Sequence, residues 1–148
     1  MLIELSTDDV ESLEKIHGSC FDESWSAKSF REMLSSDVFF GFAHKDKTIN
    51  GFVLCKMVCN EIEIITFCVL QEFRNQGIGK ALIDQIDHYA ERHLVGKIFL
   101  EVAEDNVVAR KIYESRGYEE ISRRKEYYQR KSYYQNAIIM CKNIFMDC

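Results

Sequence analysis

The sequence contains no proline, no repeat and no low-complexity stretch. Nothing in its 148 residues therefore marks a linker between domains. No apolar run reaches the roughly 18 residues that a membrane-spanning helix needs. The first residues include Glu4, Asp8 and Asp9 and show neither the basic start nor the apolar core of a signal peptide. We expect one domain over residues 1–148, cytoplasmic and without membrane contact.

The chain also lacks any Cys-x-x-Cys pair, although it has six cysteines. Its four histidines make no ligand spacing with those cysteines, so we expect no metal site. Cys55, Cys59, Cys68 and Cys141 lie in apolar, strand-like segments. Because a free cysteine behaves as a small apolar residue, this placement predicts buried, unpaired thiols.

An excess of positive charge is missing as well, since the net charge is −5. Nucleic-acid binding needs a basic surface, so direct binding of nucleic acid is not expected. An acidic protein suits a cationic substrate better. The basic residues 123–125, 130 and 131 form a local exception. They are interpreted as a solvated face, with a contact to ribosomal RNA or an acidic partner as the alternative.

Hydrophobic periodicity predicts the element order β-α-α-β-β-β-α-β-α-β-β. The predicted strands cover residues 2–5, 38–44, 49–58, 61–70, 97–103, 118–127 and 133–141. The predicted helices cover 9–20 (capped by Thr7 and Asp8), the segment after the Ser26 cap, 81–93, and the segment from the Asp105 or Asn106 cap to Arg116. This order is typical of a single-domain α/β fold with helices flanking a mixed sheet, antiparallel first and parallel near residue 77.

A glycine-rich turn, Arg74-Asn75-Gln76-Gly77-Ile78-Gly79-Lys80, connects a predicted strand to a predicted helix. Such a turn presents backbone N–H groups to a phosphate, and the helix start adds partial positive charge. A Walker loop is disfavoured because Ala81 stands where the magnesium-binding hydroxyl belongs. A dinucleotide loop is disfavoured because Leu82 replaces its third small residue, although Glu101 lies at a tolerable distance for its acid.

The Arg-x-x-Gly-x-Gly pattern of this turn resembles the acetyl-coenzyme A loop of the GNAT N-acetyltransferases, whose element order is the same. The chain looks most similar to the ribosomal-protein-alanine N-acetyltransferases, the RimI type, which acetylate a protein N-terminus. Segments 25–30, 100–102, 112–118, 123–128 and 137–140 support this resemblance. The chain departs from it by lacking the proline usual just before Trp25, and by having Gln129 where a proline often stands.

The resemblance implies two proton-handling residues. Glu101 would be the general base for the incoming amine, directly or through a water, and its alternative is a solvated edge position. Tyr113 would be the general acid for the departing thiolate, and its alternative is core packing. Asn106 would contact pantetheine, or would only cap the helix that follows it.

The resemblance also implies a binding site for acetyl-CoA as co-substrate, in which the strand before the loop splays away from its neighbour. The implied contacts are Phe67, Cys68 and Val69 at the strand end, then Arg74, Asn75, Gln76, Gly77, Ile78, Gly79 and Lys80 in the loop. Cys68 as an acyl-enzyme nucleophile is conceivable, but no histidine forms a recognisable pair with it.

Aromatic residues are the candidates for contacting the acceptor, namely Trp25, Tyr127, Tyr128 and Tyr133, with core packing as their alternative. The acceptor implied by the resemblance is a protein N-terminus, the N-terminal alanine of a small-subunit ribosomal protein, bound by a monomer or weak dimer. A small-amine acetyltransferase acting on a polyamine, antibiotic or amino acid is one alternative. A non-catalytic acyl-CoA-binding interaction module is another.

Overall fold

The computed structural model describes residues 1–129 and 134–145, which form a seven-stranded sheet in the order β1-β2-β3-β4-β5-β7-β6. The strands are β1 Leu2–Glu4, β2 Phe39–Lys45, β3 Ile49–Val58, β4 Glu61–Val69, β5 Lys97–Ala103, β6 Glu119–Gln129 and β7 Tyr134–Asn143. The helices are α1 Val10–Cys20, α2 Ala27–Leu34, α3 Ile78–Arg92 and α4 Val107–Ser115, with short 3₁₀ turns at Thr7–Asp9 and Gln71–Phe73. The predicted element order is confirmed.

Every neighbouring pair of strands is antiparallel except β4 and β5, which run parallel. The predicted mixed sheet is therefore confirmed. One face of the sheet packs against α3 and α4, and the other against α1 and α2. Each helix buries one apolar stripe, such as Leu82, Ile83 and Ile86 on α3. None of the helices among the described residues is long and apolar enough to cross a membrane.

Two helix starts differ from the sequence prediction. Ser6 precedes the first helical segment and forms a capping box with Asp9, so the predicted cap at Thr7 and Asp8 is wrong. The helix after the glycine-rich turn begins at Ile78, three residues before the predicted start. Ile78 is 6% exposed and belongs to the core. Burial of this side chain stabilises a helix that begins directly after Gly77.

The cysteine prediction is confirmed in part. Cys55 and Cys68 are buried and unpaired, as expected. Cys59 is exposed, because it occupies the tight turn between β3 and β4 with a left-handed backbone (φ 56°). Cys141 is half-buried on β7. Proximity to a strand therefore did not guarantee burial of a thiol at a turn.

Candidate active site

The parallel pair opens into a gap toward its carboxyl end. β4 and β5 pair only from Glu61 opposite Lys97 to Ile64 opposite Leu100. A register shift against β3 leaves Ile65 as an extra residue in β4. Beyond it, β4 follows β3 to Val69, while β5 follows β7 to Ala103. The expected splay is therefore present, and it leaves the inner edges of the two strands unpaired with each other.

The glycine-rich turn lies directly after the splayed end of β4. Asn75 and Gly77 both have left-handed backbone conformations (φ 63° and 81°). Among the described residues, no backbone N–H from Asn75 to Lys80 has a hydrogen-bond partner; the next, at Ala81, donates to the Gly77 carbonyl at 3.0 Å. A row of free donors at a helix start is suited to bind a phosphate group.

The two glycines of this turn have different structural roles. A Cβ atom at Gly77 would meet no atom within 4 Å, so this residue provides the left-handed turn and an open approach. A Cβ at Gly79 would lie 3.0 Å from Ile112 Cδ1 and 3.1 Å from Phe67 Cζ. Gly79 therefore allows α3 to pack closely against α4 and β4.

Among the polar side chains of the turn, that of Arg74 makes a structural hydrogen bond and the others face solvent. Arg74 Nε donates to the Val69 carbonyl at 3.0 Å, so its side chain ties the turn back to the end of β4. Asn75, Gln76 and Lys80 are exposed. Binding of an anion here would therefore depend on backbone donors, with Lys80 adding positive charge at the rim.

Glu101 is the first residue of β5 beyond its last pair with β4. Its two carboxylate oxygens are approached by different residues of β6. Tyr128 Oη donates to Oε2 at 3.4 Å, and Arg124 Nη1 lies 3.6 Å from Oε1. The Glu101 side chain is only 27% exposed. The carboxylate is thus held inside the site, which disfavours the alternative of a solvated edge position.

Tyr113 borders the gap from α4. It is 4% exposed, and its ring packs against Phe67 at 5.7 Å and Tyr118 at 5.6 Å. Burial raises the pKa of the Tyr113 hydroxyl, so this group stays protonated at neutral pH. No hydrogen bond to this hydroxyl is seen within residues 1–129 and 134–145. A buried, protonated donor beside the end of β4 is available to a bound group.

Asn106 caps the helix that carries Tyr113. Its Oδ1 accepts a hydrogen bond from the Ala109 N–H at 3.3 Å. The cap alternative is therefore observed. Because the oxygen is engaged in the cap, the amide nitrogen of the same side chain is the atom that would contact a ligand.

A wide bulge in β6 brings Arg124 and Tyr128 to Glu101. Arg124 pairs with Ala137 and Tyr128 with Gln135, so residues 125–127 all lie opposite Asn136 alone. Asn136 Oδ1 accepts from the Glu126 N–H at 2.9 Å, and Glu126 has a left-handed backbone (φ 52°). The bulge bends β6 and redirects its side chains.

Asn136 connects this bulge to a charged network, and sequence reasoning missed it. Its Nδ2 donates to Glu104 Oε2 at 3.1 Å, and Arg123 Nη1 donates to the same oxygen at 2.6 Å. Arg123 is also paired with Glu120 through two hydrogen bonds. An Asn within a predicted strand carries no signal for such a role, because its partners are distant in sequence.

The candidate acceptor residues do not share one environment. Trp25 is half-buried, stacks on His17 at 4.7 Å, and donates its backbone N–H to His17 Nδ1 at 3.2 Å. Tyr127 is 51% exposed, and the Arg124 guanidinium lies 4.9 Å from its ring centroid. Tyr133 lies outside the described residues. Packing thus accounts for most of the observed contacts of Trp25, whereas Tyr127 and Tyr128 stand on the bulge beside Glu101.

Comparison with known proteins places this geometry in a family. The model of the Acetyltransferase (GNAT) family matches residues 10–118. The chain belongs to the GNAT family of acetyltransferases. The [Ribosomal protein bS18]-alanine N-acetyltransferase of Escherichia coli (strain K12) is 29% identical in an alignment of 146 residues that covers 96% of this chain and 96% of that protein. The similarity to this type of GNAT enzyme, predicted from the sequence, is confirmed.

Solved GNAT structures agree with this placement. The crystal structure of the ribosomal-protein-S18-alanine N-acetyltransferase from Escherichia coli superposes with a TM-score of 0.92 and 26% identity, covering 100% of this chain and 96% of that chain. Arabidopsis thaliana NAA60 in complex with acetyl-CoA has a TM-score of 0.83 at 20% identity, covering 97% and 98%, and shows the shared fold. Membership of this family makes the protein an acetyltransferase of the GNAT type.

Proposed function

We propose that this GNAT acetyltransferase acetylates the N-terminal amine of a protein, by direct transfer within a ternary complex. The observation that carries the proposal is the gap between β4 and β5, bordered by a carboxylate at Glu101 and a protonated hydroxyl at Tyr113. Transfer from a thioester to an amine needs a proton acceptor for the amine and a donor for the leaving sulfur. The two side chains supply these groups on the two sides of one opening.

The unpaired edge of β4 and the loop after it are proposed to hold acetyl-CoA. The free N–H groups from Asn75 to Lys80 fit the pyrophosphate, since they converge at the start of α3. The backbone of Phe67, Cys68 and Val69 offers donors and acceptors to the amides of pantetheine. The amide nitrogen of Asn106 is the remaining polar contact, because its oxygen caps α4.

Glu101 is proposed to take the proton from the incoming ammonium group, directly or through a water. A protein α-amino group titrates near 8, so it is mostly protonated at neutral pH. The contacts of 3.4 and 3.6 Å that hold the carboxylate are long for hydrogen bonds. Its oxygens therefore keep acceptor capacity for the amine or for a bridging water.

Tyr113 is proposed to act on the leaving sulfur of coenzyme A. A tyrosine hydroxyl of pKa near 10 is already a weaker acid than a thiol of pKa about 8.5, and burial raises the pKa of Tyr113 further. Full proton transfer to the thiolate would therefore be uphill. The hydroxyl contributes most by donating a hydrogen bond to the sulfur as negative charge develops on it.

The rim formed by Tyr127, Tyr128 and Arg124 is proposed to bind the first residues of the acceptor. Tyr128 and Arg124 approach the Glu101 carboxylate directly. Tyr127 is exposed on the same bulge and packs against both of them. The similarity to the Escherichia coli enzyme supports an acceptor that begins with alanine, on a small-subunit ribosomal protein. The same proposal holds that residues 1–148 form a single domain and that the protein is a monomer or a weak dimer.

A competition assay tests this proposal. The protein is incubated with acetyl-CoA and a panel containing peptides with N-terminal Ala, Ser or Leu, together with spermidine and an aminoglycoside. Intact-mass analysis should show acetylation at the α-amine of the Ala peptide first. Blocking the α-amine should abolish transfer even when a lysine is present. Faster acetylation of spermidine or the aminoglycoside would show that the acceptor is a small amine.

A further inference from the structure

Two arginines stand side by side on β6 and make contacts of different strength. Arg123 pairs with Glu104 at 2.6 Å and with Glu120 at 2.8 Å, so two carboxylates fix its guanidinium. Arg124 Nη1 lies 3.6 Å from Glu101 Oε1, and the Arg124 side chain is 57% exposed. Within the part of the chain that the structure describes, Glu101 is the one carboxylate paired with Arg124. The contact of Arg124 is therefore the weaker and the more easily exchanged.

The register of the sheet explains how Arg124 reaches Glu101 across an intervening strand. Arg124 on β6 lies opposite Ala137 on β7, and Ala137 lies opposite Ala103 on β5. Residues that face each other in neighbouring strands project from the same side of the sheet, and so do residues two apart in one strand. Glu101 is two residues before Ala103, so it shares this side with Arg124. The short side chain of Ala137 between them leaves room for the arginine to cross.

The Arg124 guanidinium has an aromatic contact as well. Its carbon Cζ lies 4.9 Å from the centroid of the Tyr127 ring. The rings of Tyr127 and Tyr128 are 5.1 Å apart and nearly perpendicular, at 85°. A carboxylate and an aromatic face thus contact one cation, and both attract ammonium and guanidinium groups alike. The position that Arg124 occupies is chemically a position for a cationic ligand.

Glu101 is also the residue proposed to receive the acceptor amine, which reaches the site mostly as an ammonium ion. Arg124 approaches Oε1 of this carboxylate, whereas Tyr128 donates to Oε2. Two cations at one oxygen repel each other, so an ammonium group at Oε1 weakens the contact with Arg124. Because the Arg124 side chain is more than half exposed, it has solvent to move into. The ammonium and the guanidinium therefore compete for the same oxygen.

We propose that Arg124 is a specificity-determining residue, which occupies Glu101 in the free protein and exchanges it for backbone carbonyls of the acceptor when the amine binds. A peptide that extends over the rim offers such carbonyls to the released guanidinium beside Tyr127. A short amine has to displace Arg124 without this compensation. The site therefore favours a peptide over a small molecule that carries the same ammonium group.

The strength of the pair between Arg124 and Glu101 sets the size of the effect. The apparent affinity of a ligand is reduced in proportion to the fraction of molecules whose site is free. An exposed ion pair is strong enough to reduce that affinity about two- to fivefold. The effect belongs to KM, because Arg124 has left Glu101 before the proton is transferred. The preference for a peptide rests on the proposed function, whereas displacement of Arg124 by a cation does not.

Steady-state kinetics of the full chain test the selectivity with two acceptors, alaninamide and a longer peptide that begins with alanine. Arg124→Gln should lower KM for alaninamide about two- to fivefold, whereas KM for the peptide should not fall, because the peptide loses its contact with the guanidinium. Lys125→Gln is the matched control, since it removes the same charge from the next, exposed residue of the bulge. It should leave the ratio of the two KM values as in the wild type.

A second measurement follows the exchange in the wild-type protein and needs no turnover. Nitrogen–proton NMR observes the Nε–H group of Arg124, which is assigned by its loss in Arg124→Gln. Coenzyme A is present in place of acetyl-CoA, so no acetyl group is transferred. Alaninamide should shift this signal toward its position in Glu101→Gln, where the carboxylate is absent. N-acetylalaninamide, which lacks the ammonium charge, should leave the signal unchanged.

Four results would contradict the role of Arg124. The first is an Arg124 signal that ignores alaninamide or responds equally to both amides. The second is a fall in KM of the same size for alaninamide and the peptide. The third is an equal effect of Arg124→Gln and Lys125→Gln, which would assign the discrimination to the general charge of the rim. The fourth is a lower kcat with unchanged KM, which would mean that Arg124 positions Glu101.

Failure of the proposed function has a different signature. If alaninamide displaces Arg124 from Glu101 but the wild-type protein acetylates no peptide, the exchange is supported and the assignment of a protein N-terminus as the acceptor is wrong.

Discussion

Tyr128 donates a hydrogen bond to the carboxylate of Glu101 at 3.4 Å, although the two residues belong to strands that are not neighbours. Glu101 lies on β5 and Tyr128 on β6, and β7 runs between these strands. A side chain on a regular β6 would not reach so far, since each strand adds about 4.8 Å. The bulge opposite Asn136 bends β6 and makes this contact possible.

Asn136→Ala should therefore impair binding of the acceptor. The change removes the acceptor for the Glu126 N–H and the donor to Glu104. Each lost hydrogen bond is worth about 1 kcal/mol, so the bulge should lose its single conformation. We expect KM for the peptide to rise about tenfold, with acetyl-CoA affinity unchanged, as measured by steady-state kinetics and calorimetry.

Two further variants control for this result. Gln135→Ala alters the neighbouring residue of β7 without touching the Glu126 contact, so its KM should stay near the wild-type value. Asn136→Asp keeps the acceptor for the Glu126 N–H and should restore part of the affinity. Equal losses in Asn136→Ala and Gln135→Ala would show that the bulge is not held by Asn136.

Glu101→Gln should lower kcat by at least about tenfold, because general-base catalysis contributes about 10²–10⁴. The loss should be greatest at low pH, where the acceptor amine is protonated most fully. The measurement is kcat against pH, with thermal melts to confirm folding. A kcat like that of the wild type at every pH would remove Glu101 from the proton path.

Tyr113→Phe should also lower kcat by about tenfold or more, while acetyl-CoA affinity stays nearly unchanged. Phe keeps the ring that packs against Phe67 and Tyr118, so the variant isolates the hydroxyl. Since burial raises the pKa of this hydroxyl, the wild-type rate should show no loss from Tyr113 ionisation up to about pH 10. If Phe is tolerated without loss of kcat, Tyr113 serves packing alone.

Gly77→Ala should weaken acetyl-CoA binding by more than tenfold, as measured by calorimetry. The new methyl group would stand in the open approach to the free N–H groups, where no protein atom lies within 4 Å. The left-handed backbone also costs about 1–2 kcal/mol of stability for a residue with a Cβ.

Gly117→Ala provides the matched control for this change. Gly117 has a similar backbone (φ 91°), follows α4, and would place its Cβ in ordinary contact with Lys142 at 3.5 Å. The Gly117→Ala variant should lose about as much stability as Gly77→Ala but keep the wild-type affinity for acetyl-CoA. Equal losses of affinity in the two variants would attribute the effect to destabilisation of the fold.

The stability of the α1–α2 region should fall with decreasing pH because of His17. Its ring is 3% exposed, its Nδ1 accepts the Trp25 N–H, and burial lowers its pKa from 6.5. Above pH 6.5 both the folded and the unfolded chain hold a neutral imidazole. Below it the unfolded chain binds the proton first, so the free energy of unfolding decreases until the folded pKa is passed.

Denaturation followed by fluorescence measures this effect, because Trp25 is the one tryptophan of the chain and stacks on His17. His17→Gln should remove the part of the loss in unfolding free energy that begins as the pH falls below about 6.5. His88→Gln changes an exposed histidine on α3 and should leave the pH dependence as in the wild type. Identical pH profiles for all three proteins would exclude His17 as the source.

Local sequence patterns determined much of the fold. Strand 97–103 was predicted with its observed bounds, and the Ser26 cap is present with its hydrogen bond to the Ser29 N–H. Gly117 has the left-handed backbone expected at a helix end. These features depend on neighbours within a few residues, so the side chains that specify them are adjacent in the sequence.

The binding turn was also predictable, because its chemistry is that of the backbone. Glycine at residue 77 allows a left-handed turn, and the helix start supplies N–H groups regardless of the remaining side chains. The prediction placed this helix three residues late, because periodicity alone could not show that Ile78 is buried in the core.

Only the tertiary structure decided which distant residues share the site. The extra residue at Ile65 opens the gap, and the bulge opposite Asn136 brings Tyr128 to Glu101. Both depend on strand register between segments far apart in the chain. A single sequence carries no local signal for register, because a bulge is set by the partner strand as much as by its own residues.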